Sequence, residues 1–478
     1  MNYSELKPEI IFSYFKQLSD IPRGSGNEAA AAKFVYETAI RLGHTASVDS
    51  ANNVLVTAKA TPGYEDHPAV MLQGHLDMVC EANRGTAHDF LTDPIKLILD
   101  GDILHADGTT LGADNGVAVA LMLSVLDSDI PHPALECLFT TDEENGLTGM
   151  RAFDASGVKS RLMINLDSAG EGIATVSCAG GVRCHMDFPA GEKLPVPEGF
   201  RVLDFEVSGL FGGHSGEDIH LGRIGAIAAA ARILHAASKS ADIRICSIEG
   251  GSRDNAIPRE CFVTLAVSDE AAFTATVRET EAKIRGELVA DDAGMTVKIS
   301  AGAAGDCASA EKTTALISLL RSLPHGVHGM SRTVEDLVET SSNLAVIRSS
   351  EAGWEIVVTP RSSVESRLDD MQERLECAGA LVGAKVWHVN RYPGWDYTVG
   401  SPLQQLYLDC YRELFGAEAK VCGIHAGLEC GLLKGKLPDM DMISIGPDIR
   451  NLHSPDETMS VSSYVRLWEL LCLMLKKA

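Results

Sequence analysis

The chain is 478 residues long, 45% of its residues are hydrophobic, and 66 acidic against 41 basic side chains give it a net charge of −25. This length exceeds what one hydrophobic core normally serves, so two domains are expected. The negative charge would repel nucleic-acid phosphates and anionic lipid surfaces, and the sequence contains no basic run, phosphate-binding loop or membrane-length apolar segment. We therefore expect neither a nucleic-acid nor a membrane partner.

The twelve cysteines are spread over the whole length, and none forms a Cys-x-x-Cys pair. Cys80, Cys137, Cys178 and Cys184 fall in or beside apolar strand patterns, where buried free thiols are the common state. The first nine residues carry no secretory signal pattern. The sequence therefore predicts a cytoplasmic protein.

Residues 1 to 184 alternate helical and strand patterns, beginning with an amphipathic helical stripe over residues 10–18. The apolar segment 69–74 predicts a buried strand, and His75 and Asp77 follow at its end. Residues two apart on an extended chain face the same way, so Asp77 can reach the imidazole of His75 and hold its tautomer. Taken alone, such a pair is more often structural than metal-binding.

Asp114 lies just ahead of a helical pattern over residues 117–126. One interpretation is an N-cap, and the other is a metal ligand. The two are compatible, because a carboxylate at a helix start has a lowered proton affinity and stays ionised between cations.

Acidic or imidazole side chains also follow three further strand patterns. The triplet 142–144, which includes Glu143 and Glu144, follows residues 135–141; Asp167 follows residues 162–166; His453 follows residues 440–445. An acidic triplet is usually a solvated turn, and each of the others alone would usually be structural. Their recurrence at strand ends is the argument, because open α/β sheets build their sites there. Imidazole combined with carboxylate suits zinc-like ions, so the sequence predicts a metal-dependent hydrolase.

The order of predicted strands and helices changes over residues 185 to 395. Strand and helix patterns follow one another over residues 201–207, 221–238, 243–248, 261–267, 270–287 and 295–300, and a comparable series recurs over 313–389. The shared order is weak evidence for an internal duplication. Because candidate ligands lie on both sides of this region, we predict an α/β fold with a mixed central sheet flanked by helices. Its catalytic domain is split into residues 1–184 and 396–478, and an α+β lid domain of residues 185–395 is inserted.

The motifs around these residues resemble those of the dinuclear zinc metallopeptidases that include aminoacylases and carboxypeptidase-G-type enzymes. Within that group the chain is most similar to the bacterial aminoacyl-histidine (Xaa-His) dipeptidases. The resemblance runs over nearly the whole chain. It rests on residues 21–28, 74–79, 111–116, 142–146, 165–167, 212–216, 361–363, 425–431 and 451–455.

The resemblance implies roles for the candidate residues. His75 and Asp167 would bind one metal, Glu144 and His453 the other, and Asp114 would bridge them. Asp77 would orient His75, and Glu143 would act as general base. The cofactor implied is a pair of divalent ions, zinc first, with cobalt or manganese as substitutes.

The resemblance also assigns residues that would contact the substrate. His214 would donate a hydrogen bond to the tetrahedral oxyanion, although a turn residue between glycines is the alternative. Arg361 would bind the terminal carboxylate of the substrate, with an ordinary surface arginine as the alternative. Asn255, His425 and Gly427 would complete that subsite.

The function predicted is two-metal hydrolysis of small unblocked dipeptides, with Xaa-His dipeptides such as β-alanyl-histidine among the substrates. An N-acyl amino-acid deacylase on the same scaffold is the alternative, and a noncatalytic binding protein would require loss of Glu143 or a ligand. A homodimer is the expected assembly.

Overall fold

The computed structural model describes residues 3–303 and 305–478. The chain folds as two compact units. The first comprises the chain up to Ser177 together with Asp396–Gly423 and Leu428–Ala478, and the second comprises Cys178–Trp395 and Ile424–Gly427. Within the described residues, no helix is both long and apolar enough to cross a membrane.

The chain up to residue 178 forms helices and strands in alternation. They are α1 (Glu9–Ser19), α2 (Ala29–Arg41), β1 (Thr45–Val48), β2 (Val54–Ala58), β3 (Val70–His75), β4 (Leu97–Asp100), β5 (Ile103–Ala106), α3 (Ala113–Leu126), β6 (Leu135–Thr140), α4 (Thr148–Ala152), β7 (Leu162–Asn165) and β8 (Ile173–Cys178).

The middle of the chain is richer in strands. Its elements are β9 (Gly180–Pro189), β10 (Arg201–Ser208), β11 (Gly213–His214), α5 (Ala226–Ala237), β12 (Ile243–Gly250), β13 (Ala256–Ile257), β14 (Cys261–Val267), α6 (Glu270–Arg285), β15 (Thr296–Ala301), α7 (Ala310–Ser322), β16 (Gly326–Met330), β17 (Val338–Ser349), β18 (Gly353–Ser362), α8 (Glu365–Val382) and β19 (Lys385–Tyr392).

The last part of the chain returns to the first unit. Its elements are α9 (Pro402–Phe415), β20 (Lys420–Ile424), α10 (Glu429–Lys436), β21 (Asp441–Ser444), β22 (Ile449–Arg450), β23 (Thr458–Ser460) and α11 (Val461–Lys477).

The first unit is built on a mixed eight-stranded sheet with the order β1-β2-β6-β3-β7-β21-β8-β20. The four strands β6, β3, β7 and β21 are adjacent and parallel, and every residue of β3 and β6 is buried. Helix α3 packs between α1 and β3, which explains why it is apolar on all sides. Gly74 permits this close approach, because a Cβ there would overlap Ala118 and Asn115.

The second unit is built on a nine-stranded sheet. Eight strands have the order β15-β10-β14-β12-β17-β18-β9-β19, the ninth, β16, pairs with β17, and the described pairs are antiparallel. Each half of this sheet is formed by one series of elements, β10-α5-β12-β14-α6-β15 or β9-α7-β17-β18-α8-β19. From its outer edge inward, each half contains the fourth, first, third and second strand of its series, and the two halves pair through β12 and β17. One hydrophobic core unites the sheet with α5 to α8. The recurrence predicted from the sequence is therefore a repeat of topology.

The second unit begins earlier than the sequence analysis placed it. The division falls after Ser177, not after residue 184. The physical reason is that β9 pairs along its length with β18 and β19, so it cannot be divided between units. The short segment Ile424–Gly427 also belongs to the second unit, which no sequence pattern indicated.

The twelve cysteines all lie within the described residues, and none of them forms a disulfide. Cys137, Cys178 and Cys184 are buried, as expected from their strand patterns. Cys80 is exposed, because it lies in the loop beyond β3 and not in the strand.

The loops that follow β7 and β21 pack directly on each other. The Ser168 and Ser444 hydroxyl oxygens lie 2.7 Å apart, and the Gly170 amide donates to the Pro447 carbonyl at 2.9 Å. Gly446 is essential to this contact, because a Cβ there would overlap the carbonyl oxygen of Ser168. The first of these loops carries Asp167, and the second leads through β22 to the turn that carries His453.

We expect Gly446→Ala to destabilise the first unit. Forcing a methyl group into a filled space typically costs about 1–3 kcal/mol. The denaturation midpoint, followed by circular dichroism, measures the effect. Gly157→Ala is the matched control, because a Cβ at Gly157 meets nothing within 4 Å. Equal midpoints for the two variants would contradict the close packing of these loops.

Candidate active site

Polar side chains follow the carboxyl ends of four adjacent parallel strands in the first unit. His75 is the last residue of β3, Glu143 and Glu144 follow β6, and Asp167 follows β7. His453 lies beyond β21 in a loop where its φ is 60°. Non-glycine residues rarely adopt this conformation, and such residues concentrate at functional sites.

Asp114 stands between the two imidazoles. Its Oδ1 lies 3.0 Å from Nε2 of His75, and its Oδ2 lies 3.3 Å from Nε2 of His453. The same atom of His75 is 3.4 Å from Asp167, and the same atom of His453 is 3.1 Å from Glu144. The five side chains therefore form two groups, His75 with Asp167 and His453 with Glu144, which share one carboxylate.

Asp114 is not the N-cap of its helix. Gly112 occupies the N-cap position of α3, and Asp114 has non-helical angles of φ −79° and ψ 108° within the first turn. Its carboxylate points at the two histidines, while the amides around the helix start donate to Glu457. The ligand interpretation is thus the one that the geometry favours.

Asp77 links His75 to the acidic loop after β6. Its Oδ1 lies 3.3 Å from Nδ1 of His75, and its carboxylate accepts hydrogen bonds from the amides of Glu143 at 3.1 Å and Glu144 at 3.2 Å. Burial would raise the pKa of Asp77, but these contacts lower it to about 2. With the proton of His75 on Nδ1, the lone pair of Nε2 faces Asp114 and Asp167, which is the arrangement of a metal-binding histidine.

Two causes shift the pKa values of this site, namely burial and the crowding of carboxylates. Burial lowers the pKa of His75, but Asp167 and Asp114 raise it well above its usual value. Hydrogen bonds to Asp114 and Glu144 raise the pKa of His453 to about 10. Burial raises the pKa of Asp167 to about 7 and that of Glu143 well above its usual range. Without metal, the site therefore retains protons that bound cations would displace.

The donor set fits divalent metal ions. Ligand atoms of His75, Asp114 and Glu144 all lie within 4.8 Å of one another. Oε1 of Glu144 is buried and has no hydrogen-bond partner in the described part of the chain, which leaves it free to coordinate. A buried, negatively charged group with an unsatisfied oxygen is costly unless a cation completes it.

Sequence reasoning missed several supporting residues. Asn115 accepts from the amide of His75 at 3.1 Å and donates to the Leu166 carbonyl at 2.8 Å, so it ties β3 to the loop after β7. The fully buried Glu429 accepts from Gln73 at 2.5 Å and from Thr140 at 2.6 Å. The one available signal for this layer was a glutamine inside the apolar segment 69–74.

Arg361 and His425 form a second polar group, within the second unit. Nη1 of Arg361 donates to the Tyr392 hydroxyl at 2.8 Å, and Nε has no partner among the described residues. Nε2 of His425 lies 2.7 Å from Oγ of Ser341. Burial and the charge of Arg361 lower the pKa of His425 to about 3. Gly427 makes room for this group, because a Cβ there would lie 3.0 Å from the Tyr392 ring.

His214 lies on β11 and is electrostatically coupled to Arg361. Its Nδ1 accepts from the Glu217 amide at 3.1 Å, so the proton of the neutral ring must be on Nε2. Burial and the charge of Arg361 lower its pKa. Asn255 is exposed ahead of β13, where its backbone carbonyl accepts from the Ser215 amide at 2.8 Å.

The chain is similar to known peptidases over nearly its full length. The cytosol non-specific dipeptidase of Escherichia coli K12 is 36% identical over 481 residues, which cover 99% of this chain and 98% of the relative. The structure of aminoacylhistidine dipeptidase from Vibrio alginolyticus matches with a TM-score of 0.94 at 35% identity, covering 100% of this chain and 98% of that one. Aminopeptidase PepT from Bacillus cereus shares the fold, with a TM-score of 0.57 at 16% identity over 99% of each chain.

The family model for peptidase family M20/M25/M40 matches residues 71–477, which include every predicted metal ligand. The resemblance drawn from the sequence motifs is confirmed by these matches. The predicted fold class, an α/β domain split by an inserted α+β domain, is confirmed as well. The chain is therefore a hydrolase that belongs to peptidase family M20/M25/M40.

Proposed function

We propose that the protein is a two-metal dipeptidase that hydrolyses small unblocked dipeptides in the cytosol. The observation that carries this proposal is the position of the Asp114 carboxylate, which directs one oxygen at the imidazole of His75 and the other at that of His453. In the proposed site, His75 and Asp167 bind one divalent ion, Glu144 and His453 bind the other, and Asp114 bridges them. Zinc is the metal best suited to this mixture of imidazole and carboxylate, with cobalt or manganese as substitutes.

Bound divalent ions would supply Lewis acidity, which makes a water molecule nucleophilic near neutral pH. Glu143 is the proposed general base. Its backbone amide donates to Asp77, and burial raises the pKa of its carboxyl well above its usual range, which makes it a stronger proton acceptor. The carboxylate would accept the proton of the water and then return it to the leaving nitrogen.

Arg361 is the proposed site for the carboxylate of the substrate. Its unpartnered Nε and planar fork can bind a carboxylate through two hydrogen bonds. His425 lies in the same polar group and stays neutral, so it would act by hydrogen bonding and not by charge. Asn255 and Gly427 are assigned to this subsite on the family resemblance.

His214 is the proposed hydrogen-bond donor to the oxyanion. A neutral ring with its proton on Nε2 suits a donor that must not itself release a proton. This orientation depends on the fixed amide of Glu217, which a flexible glycine-flanked turn without that hydrogen bond would not provide.

The relatives indicate the substrate class. The Escherichia coli relative is named a non-specific dipeptidase, and the Vibrio alginolyticus relative is named for aminoacylhistidine. We propose that the protein accepts a range of dipeptides that includes Xaa-His, such as β-alanyl-histidine. A homodimer stays a prediction.

Removal of divalent metals should abolish activity and lower thermal stability, because ligands that bind only the folded state stabilise it. The measurement is hydrolysis of a panel containing β-alanyl-histidine, other unblocked dipeptides and N-acetylated controls, before and after dialysis against a chelator. Added zinc, cobalt or manganese should restore activity on the unblocked dipeptides. Cleavage that resists the chelator would refute the metal site, and a preference for N-acetylated substrates would refute the dipeptidase.

Glu143→Gln should retain both metals and lose activity by about 10²-fold to 10⁴-fold, the usual contribution of a general base. The amide keeps the size of the side chain but cannot accept the proton. Metal content by elemental analysis and kcat on a good dipeptide are measured together. Glu355→Gln, which changes a solvent-facing acid on β18, is the control and should behave as wild type. Full activity of the Glu143 variant would contradict the role of base.

Arg361→Met should raise KM for dipeptides and erase the preference for a free C-terminal carboxylate. The reason is that methionine fills similar space without donating hydrogen bonds. The comparison is kcat/KM for a dipeptide and for its C-terminal amide, in wild type and variant. If the wild-type preference for the free carboxylate survives in the variant, another residue binds that group.

A further inference from the structure

The carboxylate of Glu457 accepts hydrogen bonds from four consecutive backbone amides. Oε2 accepts from Leu111 at 2.8 Å and Gly112 at 3.0 Å, and Oε1 accepts from Ala113 at 2.9 Å and Asp114 at 3.2 Å. Glu457 is only 2% exposed, so these bonds are shielded from water. Burial raises the pKa of Glu457, while the amide donors favour its ionised form, and hydrogen bonds to an ionised carboxylate are among the stronger ones in proteins.

This contact changes what Asp114 is able to do. The amides at a helix start need an acceptor, and a carboxylate is favoured there. Since Glu457 satisfies those amides, both oxygens of Asp114 remain directed at His75 and His453. Glu457 thus takes the capping role and leaves Asp114 available as a bridge.

Glu457 also lies on the loop that carries His453. The Glu457 amide donates to the Ser454 carbonyl at 3.0 Å, so Glu457 belongs to the turn that begins directly after His453. Asn451 and His453 both have positive φ, at 54° and 60°, a conformation that persists only when surrounding contacts impose it. The bonds from Glu457 to the start of α3 supply such contacts, and they attach the His453 loop to the Asp114 loop.

Arg23 completes the arrangement from the other side. Its Nη1 donates to the carbonyls of Leu76 and Asp77 at 2.9 Å each, and its Nη2 donates to the carbonyl of Gly112 at 2.5 Å. Its charge interacts with that of Glu457, and both side chains are buried. The glycine at 112 admits the guanidinium, because a Cβ there would lie 2.5 Å from Nη2 of Arg23. The pair therefore ties the end of β3 to the start of α3.

We propose that Glu457 is a positioning residue for the metal held by Glu144 and His453. It touches neither the metal nor the substrate; it fixes Asp114 and His453 relative to each other. The inference rests on the proposed two-metal function. It extends that function, because the affinity of the site for one of the two metals would depend on Glu457, which is not itself a ligand.

The test is Glu457→Gln in the full chain. Glutamine keeps the shape, but it loses the charge and turns an N–H₂ group toward backbone amides that need acceptors. Loss of a group that supports metal ligands typically weakens metal binding by about 10-fold to 100-fold. We expect this loss for one of the two zinc ions only, measured by competition with a chelator and by elemental analysis at buffered zinc. The absorption spectrum of the second cobalt equivalent should change as well.

Glu136→Gln is the matched control. Glu136 is also buried, and it accepts from the amides of Lys159 at 3.1 Å and Ser160 at 2.9 Å, at the start of β6, the end opposite the site. This variant loses comparable hydrogen bonds, so it should lose stability while binding two metals as wild type does. An equal loss of metal in both variants would overturn the proposal, because general destabilisation would then explain it.

The remaining outcomes separate the inference from the function on which it rests. Two metals bound with equal affinity by wild type and the Glu457 variant would overturn the role of Glu457 alone. A wild-type protein that binds a single metal would instead contradict the two-metal function. If circular dichroism shows that the glutamine variant does not fold, Glu457→Asp takes its place. It keeps the charge but reaches fewer amides, so a smaller and still selective loss of one metal is expected, and wild-type affinity would refute the proposal.

Discussion

The structure of the first unit depends on the concentration of largely buried carboxylates at one edge of its central sheet. Asp114, Glu144 and Asp167 face two imidazoles at separations of 3.0 to 3.4 Å. Such a group repels itself and is expensive to keep out of water. The pKa values of both histidines and of Asp167 are raised, so without metal these groups retain protons that reduce the repulsion. Bound divalent cations would neutralise the carboxylates more fully than protons do, and this is the physical basis of the proposed function.

Hydrogen bonds from residues behind the carboxylates hold the segments that carry them in place. Asp77, Asn115 and Glu457 each bond to backbone amides of ligand-bearing segments, and Arg23 is the buried cation among them. Four parallel strands bring the segments to one edge, and the glycines at 74 and 446 allow helix and loop to approach closely. The side chains proposed as ligands are therefore held by hydrogen bonds and packing of the protein itself, which would reduce the cost of ordering them on metal binding.

The two units carry complementary chemistry. The first gathers carboxylates and suits cations, whereas the second gathers a guanidinium and two neutral imidazoles and suits an anion. Burial next to Arg361 keeps His214 and His425 uncharged, so they offer hydrogen bonds without adding positive charge. In the proposed function, the anion at the second unit would be the terminal carboxylate of a dipeptide.

The sequence by itself determined the element types, the order of the strands that precede His75, Glu144, Asp167 and His453, and the family. These follow from local periodicity and from motifs, which are contained in short segments of chain. Only the tertiary structure decided that the Asp114 carboxylate faces two imidazoles, that β9 belongs to the second unit, and that Glu457 and Arg23 bond to the backbone beside Asp114. Each of these depends on a partner distant in sequence, as Glu457 lies 343 residues from Asp114. No local pattern records such a pairing, because packing and not periodicity creates it.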